Sequence, residues 1–242
     1  MSLSASAIHQ NIAIARERIH TAARAAGRNP EDIRLIAVSK YMSAEAVQQA
    51  MQAGQHCFGE NTVQDAQTKL ALIEDVEDAA NEWHFIGHLQ TNKAKLIPGR
   101  FSWLHTLDSL KLAKKLSDSV ARASTSLNVL LQVNIANDPD KFGLSADAVY
   151  PFAEQLLAAD YPGIHLQGLM TIGRRDASQT QRRADFSALR KLGNQCAQRF
   201  GTDYFSELSM GMSGDFEAAI AEGATMVRIG NLIFGPRPAT VA

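Results

Sequence analysis

The chain opens on an amphipathic helical pattern. Ile8, Ile12, Ala15, Ile19 and Ala22 recur at three- and four-residue intervals between polar positions, and Gly27 and Pro30 end the run. The pattern then changes to short apolar runs, which predict strands at 33–38, 56–59, 82–86, 101–107, 128–134, 164–170, 204–208 and 225–229. Between them lie longer stretches with helical periodicity, at 44–53, 63–72, 91–96, 110–122, 146–159, 182–198 and 215–222, and a short apolar segment at 231–234 follows the last strand. Strands joined by helices predict a parallel sheet, because antiparallel hairpins would show turns of two to five residues instead.

Eight such units in 242 residues fit a single closed (β/α)8 barrel of the TIM type, usually about 250 residues long, preceded here by an extra N-terminal helix. An open doubly wound sheet is the alternative. It would more naturally carry a glycine fingerprint after its first strand, and none is present. No low-complexity linker divides the chain, so residues 1–242 are read as one domain.

Composition narrows the partners. With 24 Lys plus Arg against 25 Asp plus Glu, the chain lacks the basic imprint of a nucleic-acid or membrane-surface binder. The N-terminal segment lacks a signal-peptide core and no window resembles a membrane span, so a cytoplasmic protein is expected. Cys57 and Cys196 read as free thiols of a reducing compartment rather than a disulfide.

Active sites of such barrels lie where the strands end. The first strand ends in AVSK, at Lys40. A lysine closing an apolar strand is partly desolvated, which makes its amine nucleophilic toward an aldehyde, although a lysine snorkelling into solvent would look the same. The second strand leads into FGEN, with Glu60 and Asn61; the third runs through WHFIGHLQTNK, with His84 inside it and Gly87 at its mouth. The seventh ends in ELSMGMSGD and the eighth in VRIGN. Ser209, Gly211, Gly214 and Gly230 suit an anion cradle, with Ser213 or Asp215 capping the next helix. Phosphate sites after strands seven and eight recur in this barrel class. Arg228, in the apolar run before Gly230, is either a structural arginine paired with a barrel carboxylate or the partner of a ligand's ring nitrogen.

The runs AVSK, FGENTVQDAQTK, WHFIGHLQTNK, QVNIANDPDKFG, GLMTIG, ELSMGMSGDFEAAI and VRIGNLIFG resemble, in order and over nearly the whole chain, the YggS/PROSC family of pyridoxal-phosphate homeostasis proteins. The resemblance implies the barrel of the alanine racemase N-terminal domain, the fold type III of pyridoxal 5'-phosphate (PLP) proteins. It implies PLP held as a Schiff base on Lys40, with Ser209, Gly230 and Asn231 lining the phosphate and Met210 and Gly211 beside it. Arg228 would face the pyridine nitrogen, with Asn61 and His84 near the ring. Position 231 is a departure: a small residue or threonine is expected there, and Asn preserves a backbone contact but not a hydroxyl one.

A racemase needs two positioned acid/base groups. The related enzymes take the second, a tyrosine, from a further β-domain for which this sequence has no segment. Tyr41, Tyr150, Tyr161 and Tyr204 are poor substitutes by position. The first expectation is therefore a PLP-binding homeostasis protein, a monomer that serves PLP-dependent apo-enzymes. A racemase-like PLP enzyme and a barrel for some other phosphorylated ligand are the alternatives. His84 and His88 invite a metal reading, but no third ligand accompanies them at suitable spacing and none is assigned. Arg174, Arg175, Arg182 and Arg183 read as an exposed loop and helix start, with a basic loop at the barrel mouth as the alternative.

Overall fold

The computed structural model describes residues 3–73, 81–174 and 176–236. Small hydroxylated residues begin most of the long helices by accepting a bond from a backbone N–H of the first turn. Ser4 starts α1 (Ala5–Ala25), Ser43 starts α2 (Ala44–Gln52) and Thr62 starts α3 (Val63–Leu70). Ser109 starts α4 (Leu110–Arg122), and Ser178 with Gln181 forms a reciprocal capping box on α6 (Gln179–Phe200). The remaining helices are α5 (Val149–Ala158), α7 (Phe216–Ala221) and α8 (Asn231–Phe234).

Among the described residues the strands are β1 (Arg34–Val38), β2 (Cys57–Glu60), β3 (Glu82–Phe85), β4 (Trp103–Leu107), β5 (Leu127–Gln132), β6 (Ile164–Met170), β7 (Glu207–Met212) and β8 (Met226–Ile229). Each pairs in parallel with its sequence neighbour, and β8 returns to β1 with Ile36 opposite Arg228, closing the barrel. This is the (β/α)8 architecture that the alternating pattern predicts.

The main apolar core lies between barrel and helices, and it includes the buried face of α1 formed by Ile8, Ile12, Ala15, Ile19 and Ala23. A smaller cluster of Ile36, Trp103, Leu130, Met170 and Met226 fills the barrel interior. Because α8 has only four residues, it cannot cover the seam between β8 and β1. α1 takes that place, packed against α7, α2 and α8. Arg28 holds it there by donating to the carbonyls of Ile220 and Ala224, and Asn11 donates to the carbonyl of Ile233.

Two elements differ from expectation in ways that matter for the site. The segment 91–96 is a 3-10 helix rather than an α-helix. The seventh strand begins later and runs further than the predicted 204–208, because Thr202–Tyr204 forms a 3-10 turn and the strand continues through Gly211. Its pairing with β8 shifts register between Ser209 and Met212. Gly211 lies in that irregularity at φ 92°, and a Cβ there would fall 2.6 Å from the Cβ of Ala219 and 2.9 Å from the Cα of Phe216. Only glycine lets α7 lie this close to the strand.

Candidate functional site

A cavity of about 310 Å³ opens at the C-terminal ends of the strands. Lys40, one residue past Ser39 at the end of β1, is half-buried in its wall. The strand end around it is firmly built. Ser39 donates its hydroxyl to Glu60 at 2.7 Å, and Lys69 of α3 donates to the Ser39 carbonyl at 2.7 Å and pairs with the same Glu60 carboxylate. Burial pushes the Glu60 carboxyl up in pKa, against the pull of Lys69. On the other side of Lys40, the Tyr41 N–H donates to Asp65 at 3.1 Å, and Tyr41 sits at φ 65°, a left-handed conformation that costs a tyrosine energy. Lys40 thus stands between two residues clamped to β2 and α3.

Asn61, just after β2, reaches the same cavity, and its side-chain Oδ1 is buried without a hydrogen-bond partner. Gly87 keeps this stretch in place: a Cβ there would lie 2.0 Å from the Asn61 carbonyl oxygen. Opposite lie Ser213 and Gly214 after β7, and Gly230 and Asn231 after β8. A Cβ on Gly214 would meet nothing within 4 Å, so that backbone is open to a ligand. The first-turn N–H groups of a helix have no carbonyl behind them, and α8 begins at Asn231, beside the cavity. Val38, Met42, Ile86, Ile172, Met212 and Phe234 supply apolar walls.

Arg228 reaches the cavity from the barrel interior. Its Nη1 donates to Ser209 Oγ at 2.6 Å and its Nη2 to the Thr171 carbonyl at 2.8 Å. Burial lowers its pKa to about 10 despite the opposing influence of Asp215, so it stays charged at neutral pH. Beneath it runs a buried polar file. Ser209 Oγ lies 2.9 Å from His105 Nδ1, His105 Nε2 lies 2.9 Å from His84 Nδ1, and His84 Nε2 lies 3.5 Å from Glu82 at the far end of the barrel. Burial lowers the pKa of both imidazoles, and His105 is driven further by its neighbours His84 and Arg228.

The chain is 43% identical to the pyridoxal phosphate homeostasis protein of Pseudomonas aeruginosa over 232 residues, 96% of either chain. It is 40% identical to the protein of that name from Escherichia coli over 231 residues, 95% of this chain and 97% of the other. The chain belongs to the pyridoxal phosphate homeostasis protein family. The family model for the alanine racemase N-terminal domain matches residues 3–238. Among solved structures, PipY of Synechococcus elongatus with PLP bound superposes with a TM-score of 0.80 at 34% identity, covering 94% of this chain and all of that one.

In this homeostasis-family barrel, Lys40, Asn61, Arg228, Gly230 and Asn231 meet at one cavity, and His84, Ser209, Met210 and Gly211 lie outside its lining. Ser209 and His84 face the barrel interior, fully buried. Met210 points outward into the core under the helices, and Gly211 accommodates α7. The reason is the longer β7, which makes strand of residues that read as a loop. Ser213 and Gly214 take the place at the mouth. The sequence motifs assign His105 no role, although a histidine alternating with Trp103 in a buried strand is a detectable signal. His88 is exposed and stacked on Phe142, apart from buried His84. Cys57, Glu82 and His84 do converge, with one ligand atom from each within 4.8 Å of the others, but the Arg34 guanidinium stands 3.8 Å from Glu82 and supplies the positive charge there. Arg174 pairs with Asp185 and Arg183 with Glu222, tying both to helix faces, while Arg175 lies outside the described residues. Both cysteines are free thiols.

Proposed function

We propose that this barrel binds PLP in the Lys40 cavity and acts in intracellular PLP homeostasis. The observation that carries the reading is the convergence of a half-buried lysine, a buried guanidinium and an open glycine-lined backbone on one apolar-walled cavity. These donors fit the cofactor group by group. The unpartnered Oδ1 of Asn61 is a further polar atom awaiting a ligand. When bound there, PLP would supply an aldehyde within reach of the Lys40 amine, the chemistry of a Schiff base.

The protein's own residues have separable tasks. Lys40 offers the amine from a strand end whose neighbours are fixed. Ser213, Gly214, Gly230 and Asn231 hold the phosphate through backbone N–H groups and the serine hydroxyl. Arg228 meets the pyridine nitrogen as a charged donor; a guanidinium does not give up its proton to that nitrogen, which disfavours carbanion chemistry on the ring. Asn61 lies beside the ring. The walls from Val38, Met42, Ile86 and Ile172 exclude water from its faces. The tyrosines do not supply a second acid/base group across the cavity: Tyr41 is exposed, Tyr150 packs near Phe200, and Tyr161 and Tyr204 line a separate cavity. This supports cofactor binding and release over racemisation. The whole chain acts as one cytoplasmic, monomeric unit, with PLP-dependent apo-enzymes as recipients. Among the described residues no helix is long and apolar enough to cross a membrane.

Absorbance tests the proposal. Protein incubated with PLP gains a yellow band that borohydride removes, and peptide mapping finds the reduced adduct on Lys40. Lys40→Ala leaves only free PLP absorbance. A band of normal intensity in that variant, or an adduct on another lysine, overturns the assignment.

A further inference from the structure

The polar file through the barrel has a direction. Arg228 is a donor only, so at Ser209 the hydroxyl oxygen accepts. Ser209 then has one proton to give, and His105 Nδ1 is 2.9 Å away. If that nitrogen accepts, the proton of the neutral His105 ring resides on Nε2 and is donated to His84 Nδ1, 2.9 Å away. The His84 proton then resides on Nε2 and points at the Glu82 carboxylate, 3.5 Å away. In this order the Ser209 and His105 protons have acceptors at hydrogen-bond distance, and the His84 proton, whose nitrogen makes no direct hydrogen bond, faces the Glu82 carboxylate. The reverse order sets a bare His84 Nε2 lone pair against a carboxylate and leaves the Ser209 hydroxyl without its histidine acceptor. The Arg228 cation at the cavity end favours the first order, and Glu82 at the opposite mouth acts in the same sense, offset in part by Arg34 3.8 Å from it.

We infer that Ser209, His105 and His84 form a one-way hydrogen-bond chain, its far end facing the Glu82 carboxylate, that anchors the Arg228 guanidinium, which makes His105 and His84 positioning residues for a cavity neither of them lines. The supporting geometry is rigid. Each residue comes from a barrel strand, His84 stacks on Trp103 at 5.6 Å between ring centroids, and Arg228, Ser209, His105 and His84 are all buried. The burial that keeps both imidazoles uncharged also preserves the single proton order. Without an acceptor at His105, the Ser209 hydroxyl turns to another partner, and the Oγ that Arg228 Nη1 meets at 2.6 Å is no longer fixed.

The part of this inference that concerns Arg228 and the cofactor rests on the PLP reading; the proton order does not, so two experiments separate them. In the first, nitrogen–proton correlation spectra of the histidine rings are recorded without added PLP between pH 6 and 8. Both His84 and His105 are expected as neutral Nε2–H tautomers. An Nδ1–H tautomer or a charged ring at either position overturns the chain, whatever the cavity binds. In the second, PLP is titrated into the wild type, His105→Leu, His105→Asn, Ser209→Ala and Arg228→Ala. His105→Leu is expected to weaken PLP about tenfold, in line with loss of one hydrogen bond to a charged group. His105→Asn, which keeps an acceptor at the Nδ1 position, recovers most of this. In an Arg228→Ala background, His105→Leu adds nothing. Ser209→Ala, the smaller change, gives the same pattern if the leucine variant does not fold. Wild-type affinity in both His105→Leu and Ser209→Ala, or a loss that persists without Arg228, overturns the positioning role. Failure of the wild type to bind PLP sinks the functional reading and leaves the tautomer result to stand or fall by itself.

Discussion

The reactivity expected of Lys40 depends on neighbours that never touch a ligand. Lys69 and Glu60 are almost completely buried, with side chains 3% and 0% exposed, and together they hold Ser39 and the strand end. Removing one member of such a pair strands the other's charge, whereas removing both need not be costly. Lys69→Met is expected to cost about 3–5 kcal/mol in urea unfolding and to weaken PLP binding through the displaced Lys40; Lys69→Met combined with Glu60→Leu recovers most of the stability. Stability of the single variant at the wild-type level would show that the pair has no role in holding this strand end. Much of the cavity was legible at this scale, since an apolar strand closing on a lysine and an arginine preceding a glycine are local signals. The buried file was not. His84 reads as a ring neighbour of the ligand and His105 has no assigned role, because sequence spacing does not reveal that two histidines 21 positions apart on adjacent strands share a hydrogen bond.

At the scale of elements, the eight strands and most helices follow from periodicity, because β/α units alternate two clearly different patterns. The end of β7 does not follow. A glycine flanked by methionines and serines reads as a loop, yet Gly211 continues the strand with a positive φ, paired to β8 across a register shift and pressed against α7. What decides between the readings is the position of Ala219 and Phe216, a tertiary fact. Gly211→Ala combines a left-handed alanine, about 1–2 kcal/mol, with overpacking of about 1–3 kcal/mol, and the expected loss is about 2–5 kcal/mol in denaturant unfolding. Gly214→Ala, whose Cβ meets nothing, leaves stability unchanged and reduces PLP affinity. Equal stability of the two variants would show that close packing at Gly211 is not what fixes the strand.

For the molecule as a whole, the interior histidines set the response to acid. Both have pKa values lowered by burial, so in the window below the ordinary histidine value near 6.5 the unfolded chain binds more protons than the folded one. Their contribution is complete above that value and is lost as pH falls toward the lowered folded values. Glu82, held down to about 2 by its contact with His84 and by Arg34, adds a loss of the same sign at lower pH. Glu60, raised by burial, opposes it. Melting temperature is expected to be flat from pH 8 to 7 and to fall steadily from 6.5 to 5, more gently in His105→Leu. A melting temperature that rises on acidification through this range would mean that the imidazoles are charged in the folded state.

The closure of the ring by its first and last strands has a temporal consequence. A ribosome releases β1 some 190 residues before β8, the strand that must lie beside it. Until then the nascent sheet keeps a raw edge, and α1, made earlier still, lacks the α7 and α8 surfaces that complete its berth. The barrel is born open and sealed at the seam carrying Arg228, so the pocket's charged floor comes into being only after β8 has left the ribosome.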